Sequence, residues 1–413
     1  MRARDRIAVG LFVVGLAWGL VSPLHATMLG ETKLVLPDPT GSDKLGCSVG
    51  ISGGRAVVGA SGNSVPVAGG GSAYVYNVGT GAQTYKLTAP DAAVQDAFGT
   101  SVGVSGNVAI VGAMGDDPGG SAYLYDVTNG TYLRKLTGGD TASGDVFGYS
   151  VAIYGNVAIV GAYGDDTSSG SAYLFNVTTG DQLHKLTADD AYPGDRFGYS
   201  VGISGNVAVI GAYLDDDPQS SAGSAYLFDV ATGAQLRKLL ASDGAGGDNF
   251  GYSVGIDGSV VIVGAYGNDD VMNNSGSAYL FDVATGAQLH KLVADDAEMM
   301  DEFGYSVAVS GNVAVVGARN DDDAGYNSGA AYLFNVTTGE QIDKMTPSDG
   351  AAMDSLGYSV AIAGYSGIVG AYLHDQPGAD AGTAYLFLVP EPASLMLLVL
   401  GGLGVVVGRK RRA

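Results

Sequence analysis

One pattern recurs seven times along the chain and restricts the fold more than any other feature. In the fourth copy it runs Phe197-Gly-Tyr-Ser-Val-Gly-Ile-Ser-Gly-Asn-Val-Ala-Val-Ile-Gly-Ala-Tyr213, and its equivalents begin at Leu45, Phe98, Phe147, Phe250, Phe303 and Leu356. Successive copies start 49 to 53 residues apart. Each continues into a Ser-Ala-Tyr-Leu-Phe type stretch, then a Leu-x-Lys-Leu type stretch, then an acidic linker. A fixed period of this length marks a repeat architecture, in which each unit buries its apolar residues against its neighbours.

The fourth unit contains four β-rich stretches, at residues 200–203, 207–212, 224–230 and 235–239. They are separated by Ser-Gly-Asn, by a long polar loop, and by Ala-Thr-Gly. Gly and Asn tolerate positive φ, and Ser or Asn can bond its own backbone, so these are turn residues. Four short strands in each of seven units predict an all-β, seven-bladed propeller. A solenoid of stacked four-stranded layers is the competing architecture. Ring closure decides between them. The last unit supplies its third strand, 383–388, and has no fourth, whereas Glu31-Thr-Lys-Leu-Val-Leu36 precedes Pro37-Asp38 as each fourth strand precedes its linker. The N-terminal strand is therefore expected to complete the last blade and leave no open edge, giving a propeller over residues 31–388.

Both ends read as addresses. A basic start (MRARDR), an apolar run from Ile7 to Val21 and small residues up to Ala26 describe a secretory signal peptide, residues 1–26, cleaved after Ala26. At the other end, Val389-Pro390-Glu391-Pro392 precedes an apolar stretch, 395–408, and the basic cluster Arg409-Lys410-Arg411-Arg412. Fourteen apolar residues are short for a relaxed membrane-spanning helix, and the basic cluster would stop on the cytoplasmic side. This tripartite tail, 389–413, resembles the PEP-CTERM sorting signal. The resemblance implies an exosortase as processing partner, transient inner-membrane anchoring through 395–408, and delivery to the cell surface or extracellular matrix of a Gram-negative-type bacterium.

The paired signals Phe-Gly at a unit's start and Gly-Ala fourteen residues later resemble FG-GAP repeats. That family implies the seven-bladed propeller of integrin α-chain heads and of many bacterial surface proteins. The resemblance covers residues 45–388, with Phe replaced by Leu45 and Leu356 in the terminal units. Many such repeats carry a calcium loop between their first two strands. Here that connection is only Ser204-Gly205-Asn206 or an equivalent such as Tyr154-Gly155-Asn156, too poor in oxygen ligands for calcium. The family's calcium sites therefore do not transfer to these turns.

Charge is distributed unevenly. The chain has 42 acidic and 20 basic side chains and a pI near 4.2, which excludes nucleic acid as a partner. Removing both addresses leaves 40 acidic and 13 basic residues. In a propeller the fourth-to-first linkers and the second-to-third loops emerge on one face. That face would hold 32 of the 40 acids, with only Lys44, Arg196 and Arg319 nearby to offset them. Variation in unit length also falls in the second-to-third loops, where binding usually resides. The acids read either as turn caps or as a site for a divalent cation, Ca2+ by preference. The candidate ligands in the fourth unit are Asp190, Asp195, Asp215, Asp216 and Asp217. The fifth contributes Asp243, Asp248, Asp269 and Asp270, and the sixth Asp296, Asp301, Asp321, Asp322 and Asp323.

Nothing in the sequence points to catalysis. The histidines beyond the signal segment are His184, His290 and His374, and no GxSxG, HExxH or Walker-type motif appears. Cys47 stands where other units have Tyr149 or Tyr199, and is expected to be packed and inert. The tyrosines of both the Phe-Gly-Tyr-Ser and Ser-Ala-Tyr-Leu-Phe stretches read as propeller core. The expected function is a non-enzymatic, exported binding or adhesion module presenting an acidic loop face to an extracellular protein or polysaccharide. A calcium-dependent exopolysaccharide or glycan binder of the biofilm matrix is the alternative, and a hydrolase the more distant one.

Overall fold

The computed structural model describes residues 30–37, 39–65, 67–375 and 378–389. They form seven four-stranded antiparallel sheets, the blades of a propeller. In the fourth blade the strands are Ser200–Ser204, Val207–Ala212, Ser224–Asp229 and Gln235–Leu239, paired in sequence order. The last blade takes its fourth strand from the N-terminus: Thr32–Leu34 pairs antiparallel with Thr383–Leu388. The ring closes as the sequence implies.

Second and third strands are buried along nearly their whole length, because each sheet packs against a neighbour on both faces. Their continuous apolar runs follow from that burial. The apolar clusters lie between blades. Ile159 and Leu174 of the third blade meet Phe197, Ile210 and Phe228 of the fourth. In the fourth blade only the fourth strand carries exposed side chains, since it forms the rim.

The repeated glycines sit where blades touch. Gly148 has φ +87°, and a Cβ there would strike the carbonyl oxygen of Ser121 in the preceding blade. A Cβ on Gly161 would strike the carbonyl oxygen of Gly198 in the following blade. Ser150 adds a bond across the same junction, donating its hydroxyl to Gly198 O at 2.8 Å. The Phe-Gly and Gly-Ala signals are thus stitching points between blades, and Phe147 itself is fully buried. In the third to fifth blades the regular first strand starts only at Ser150, Ser200 and Ser253. In the third and fourth, the preceding Phe makes a single bridge to a glycine of the previous blade instead.

The ends of the described chain meet on the face opposite the long loops. Gly30 lies beside Leu388. The Val389 N–H donates to Tyr365 O at 2.9 Å, within the short turn between the first two strands of the last blade. Among the described residues no helix is long and apolar enough to cross a membrane. Ala26, Pro390, Glu391, Pro392 and the stretch 395–408 lie outside them.

Candidate functional site

Each linker enters its blade beside that blade's second-to-third loop, so their acids converge at the loop end of the third and fourth strands. In the fourth blade, Tyr226 and Lys238 are opposite each other in the ladder. The Lys238 ammonium lies 2.7 Å from Asp190, 3.0 Å from Asp215 and 3.2 Å from Asp217. The Tyr226 hydroxyl lies 2.5 Å from Asp215 and 3.0 Å from Asp190. The sixth blade repeats this: Lys344 is 2.9, 2.8 and 2.6 Å from Asp296, Asp321 and Asp323. In the fifth, Lys291 pairs with Asp243 at 2.8 Å and also with Asp270, while Asn268 stands where the other two blades have Asp215 and Asp321.

These pairings fix the protonation states. Burial disfavours the Lys238 charge, but hydrogen bonds to Asp190 and Asp215 outweigh it and raise the lysine above its usual value. Lys185 holds Asp140 below the ordinary carboxylate range. Burial and then the Asp215 bond push the Tyr226 hydroxyl far up, so it stays a donor.

The other candidate acids do different work. Asp195 accepts the Tyr192 N–H at 2.7 Å, Asp248 the Ala245 N–H at 3.0 Å, and Asp301 the Glu298 N–H at 2.7 Å. Each is buried and caps its linker turn. Burial raises all three carboxyls, Asp301 to about 6. Asp216, Asp269 and Asp322 accept backbone N–H bonds from Ser221, Asn274 and Asn327, closing the long loops.

The acids therefore do converge, but on lysine. The expectation that only Lys44, Arg196 and Arg319 offset the acidic face is corrected by this geometry. The Lys of each Leu-x-Lys-Leu stretch is the penultimate residue of its strand, so its long stem reaches the loop face while its backbone stays in the rim. Strict recurrence of a cation at one strand position, from Lys33 to Lys344, was the signal available in the sequence. Calcium does not fit these clusters, because the ammonium nitrogen already lies between the carboxylates that would hold the metal. Among the described residues no group of three or more His, Cys, Asp or Glu side chains is arranged to hold a metal ion.

In the last blade, Lys33 of the N-terminal strand takes the lysine position, 2.5 Å from Asp349. His374 stands in for the loop acid, with Nε2 2.7 Å from Lys33 Nζ and Nδ1 2.9 Å from Asp354. The ammonium donates to Nε2, so the ring proton sits on Nδ1 and points at Asp354. His184 and His290 are elsewhere, on fourth strands, each beside a backbone carbonyl of the next blade's outer turn.

The two tyrosine positions separate. Tyr173 and Tyr226 are buried core residues, as expected. The tyrosines of Phe-Gly-Tyr-Ser are not simply core: Tyr149, Tyr199, Tyr252, Tyr305 and Tyr358 line a cavity of about 470 Å3 on the propeller axis. Cys47 lies in its wall, part-buried, with Sγ 3.4 Å from both Ser61 Oγ and Gly99 O. Burial pushes its thiol up, away from the reactive thiolate.

Seven segments of the chain match the FG-GAP repeat model: 30–76, 82–125, 131–175, 181–228, 234–281, 287–334 and 340–387. Each matched segment opens on a fourth strand and ends in the next blade's third, the same offset that closes the ring. The PEP-CTERM protein-sorting motif matches residues 388–412. No curated protein matches the chain.

Proposed function

The chain belongs to the FG-GAP repeat family and ends in a PEP-CTERM protein-sorting motif, and on that premise we propose that it is a non-catalytic binding module whose loop face engages an extracellular polysaccharide or protein. The sorting motif marks it for export and exosortase processing. FG-GAP propellers typically serve as binding or adhesion modules.

The polarity of the disc is the observation that supports this reading. Val389, from which the sorting motif continues, is bonded into the short-turn face, and Gly30 lies beside the preceding Leu388. A membrane anchor at 395–408 would therefore hold the short-turn face inward and turn the long loops outward. Those loops carry the length variation, and on the same face apolar side chains are exposed among the acids, Val271 and Tyr326 in the long loops and Tyr192 and Met299 in the linkers. Variable loops on a rigid scaffold are the usual place for recognition.

Orientation can be tested on intact cells. In a Cys47→Ser background, Asp216→Cys on a long loop and Thr232→Cys on a short turn are treated with a membrane-impermeant maleimide before tail processing. Labelling at 216 well above that at 232 is the expected result. The reverse order would overturn the outward loop face.

A further inference from the structure

The axial cavity is built from a sevenfold position that is filled unequally. Five blades place tyrosine there, and their rings pack around the axis with centroids 4.7 to 5.2 Å apart. The first two blades place Cys47 and Thr100 instead. At the residue after Gly-Ala, Tyr163, Tyr213, Tyr266 and Tyr372 form a second aromatic tier on the loop side; the sixth blade has Arg319 there, and the first two blades again carry smaller or non-aromatic side chains, Ser61 and Met114. Both tiers are thinned on one side, and the cavity reaches the loop side at Lys44, Ser61, Met114 and Tyr372 while running inward along the Ser and Val that follow the tyrosine position. About 470 Å3 is within the usual range of small-ligand clefts.

The lining restricts what could enter. Lys44 is the one charged side chain among the described lining residues, and no carboxylate is among them. A cation would find no counter-ion. The aromatic faces best placed for it are already covered, since Arg319 lies 3.9 Å above Tyr305, and Arg196 lies over Tyr163 and Tyr213. An anion would have to cross the acidic loop face. A purely apolar ligand would desolvate phenol hydroxyls without replacing their hydrogen bonds. A neutral molecule presenting both C–H faces and hydroxyls satisfies rings and phenols together.

We propose that this cavity is a binding site for a neutral saccharide of one or two rings, such as a chain end or a side branch of a polysaccharide. The tyrosine tier supplies ring surface and phenol hydroxyls, and the gap left at Cys47 and Thr100, between Tyr358 and Tyr149, gives the sugar room. The site lies on the axis of the outward face, so the proposal rests on the binding-module reading above and gives it a ligand class.

The test uses the full chain in mild detergent on an array of neutral oligosaccharides built from glucose, galactose, mannose and N-acetylglucosamine. Thr100→Tyr installs the side chain that five blades already carry, so the fold is kept while the gap is filled. Tyr252→Phe removes one hydroxyl and leaves the ring. The expected result is binding by the wild type, a loss of tenfold or more in Thr100→Tyr at an unchanged melting temperature, and a loss of about 2- to 10-fold in Tyr252→Phe. Binding that survives Thr100→Tyr overturns the cavity site while leaving recognition by the loop face standing. A wild type silent on the array, yet still retained by the host's surface polymers, also overturns it without touching the broader reading.

Discussion

Lys33 and Asp349, 316 positions apart in the sequence, are joined by a 2.5 Å ion pair at the seam of the ring. The seam thereby reproduces the lysine–aspartate cluster that the second to sixth blades build, as Lys344 does with Asp296 and Asp321. The two sites differ in exposure. Lys33 and Asp349 are 25% and 41% exposed, whereas Lys344 and Asp321 are 8% and 3%. Solvent screens the first pair, so Lys33→Met is expected to cost about 1 kcal/mol. Lys344→Met strands a buried carboxylate and is expected to cost about 3–5 kcal/mol. Thermal unfolding of the two variants checks the order, and equal losses would contradict it.

The linker carboxylates give opposite pH dependences. Asp140, lowered by Lys185, contributes stability that is present above its unfolded value and lost as pH falls through the lower folded value. Asp301 is raised by burial from 3.8 to about 6, so its favourable contribution is present in acid and lost as pH rises through that window. Asp301→Asn keeps an acceptor for the Glu298 N–H and removes the charge. Its melting temperature relative to the wild type should climb between pH 4 and pH 7. A difference that stays flat with pH would show that Asp301 is not held protonated.

Removing divalent cations should change little. Where a lysine ammonium already lies between the carboxylates, as at Asp190 and Asp215, a calcium ion has no place to add stability. Melting curves in EDTA and in millimolar calcium are expected to coincide. A clear rise with calcium, through preferential binding to the folded state, would show a metal site that the lysine clusters do not provide.

The strands, their order and the closure were legible because periodic apolar runs and turn residues encode them locally. The second strand, Val207–Ala212, falls on the same residues in sequence and structure. Convergence of Asp190 with Asp215 was legible too, since propeller topology brings linker and loop together. The role of Lys238 was not: its recurrence in every unit marks the position, but a lysine near a strand end reads as rim, and its stem direction in the assembled blade is what places it in the acidic cluster. The division of the tyrosines was hidden for a related reason. Tyr149 and Tyr173 look alike as strand aromatics, but the first strand is innermost, so Tyr149 lines the axis while Tyr173 packs against Phe147. Strand rank from the axis is a property of the assembled ring.

The claim that recognition belongs to the outward loop face is tested most directly by retention of the full chain on surface polymers isolated from the producing bacterium. The loop-face variant combines Asp117→Asn, Asp189→Lys and Asp295→Lys, whose carboxylates are not the partners of the fourth-strand lysines. The control combines Asp181→Lys and Asp282→Lys on the short turns. The account predicts a loss of tenfold or more in the loop-face variant and retention within about twofold of the wild type in the control. Equal retention of both variants, or loss confined to the short-turn control, would contradict it.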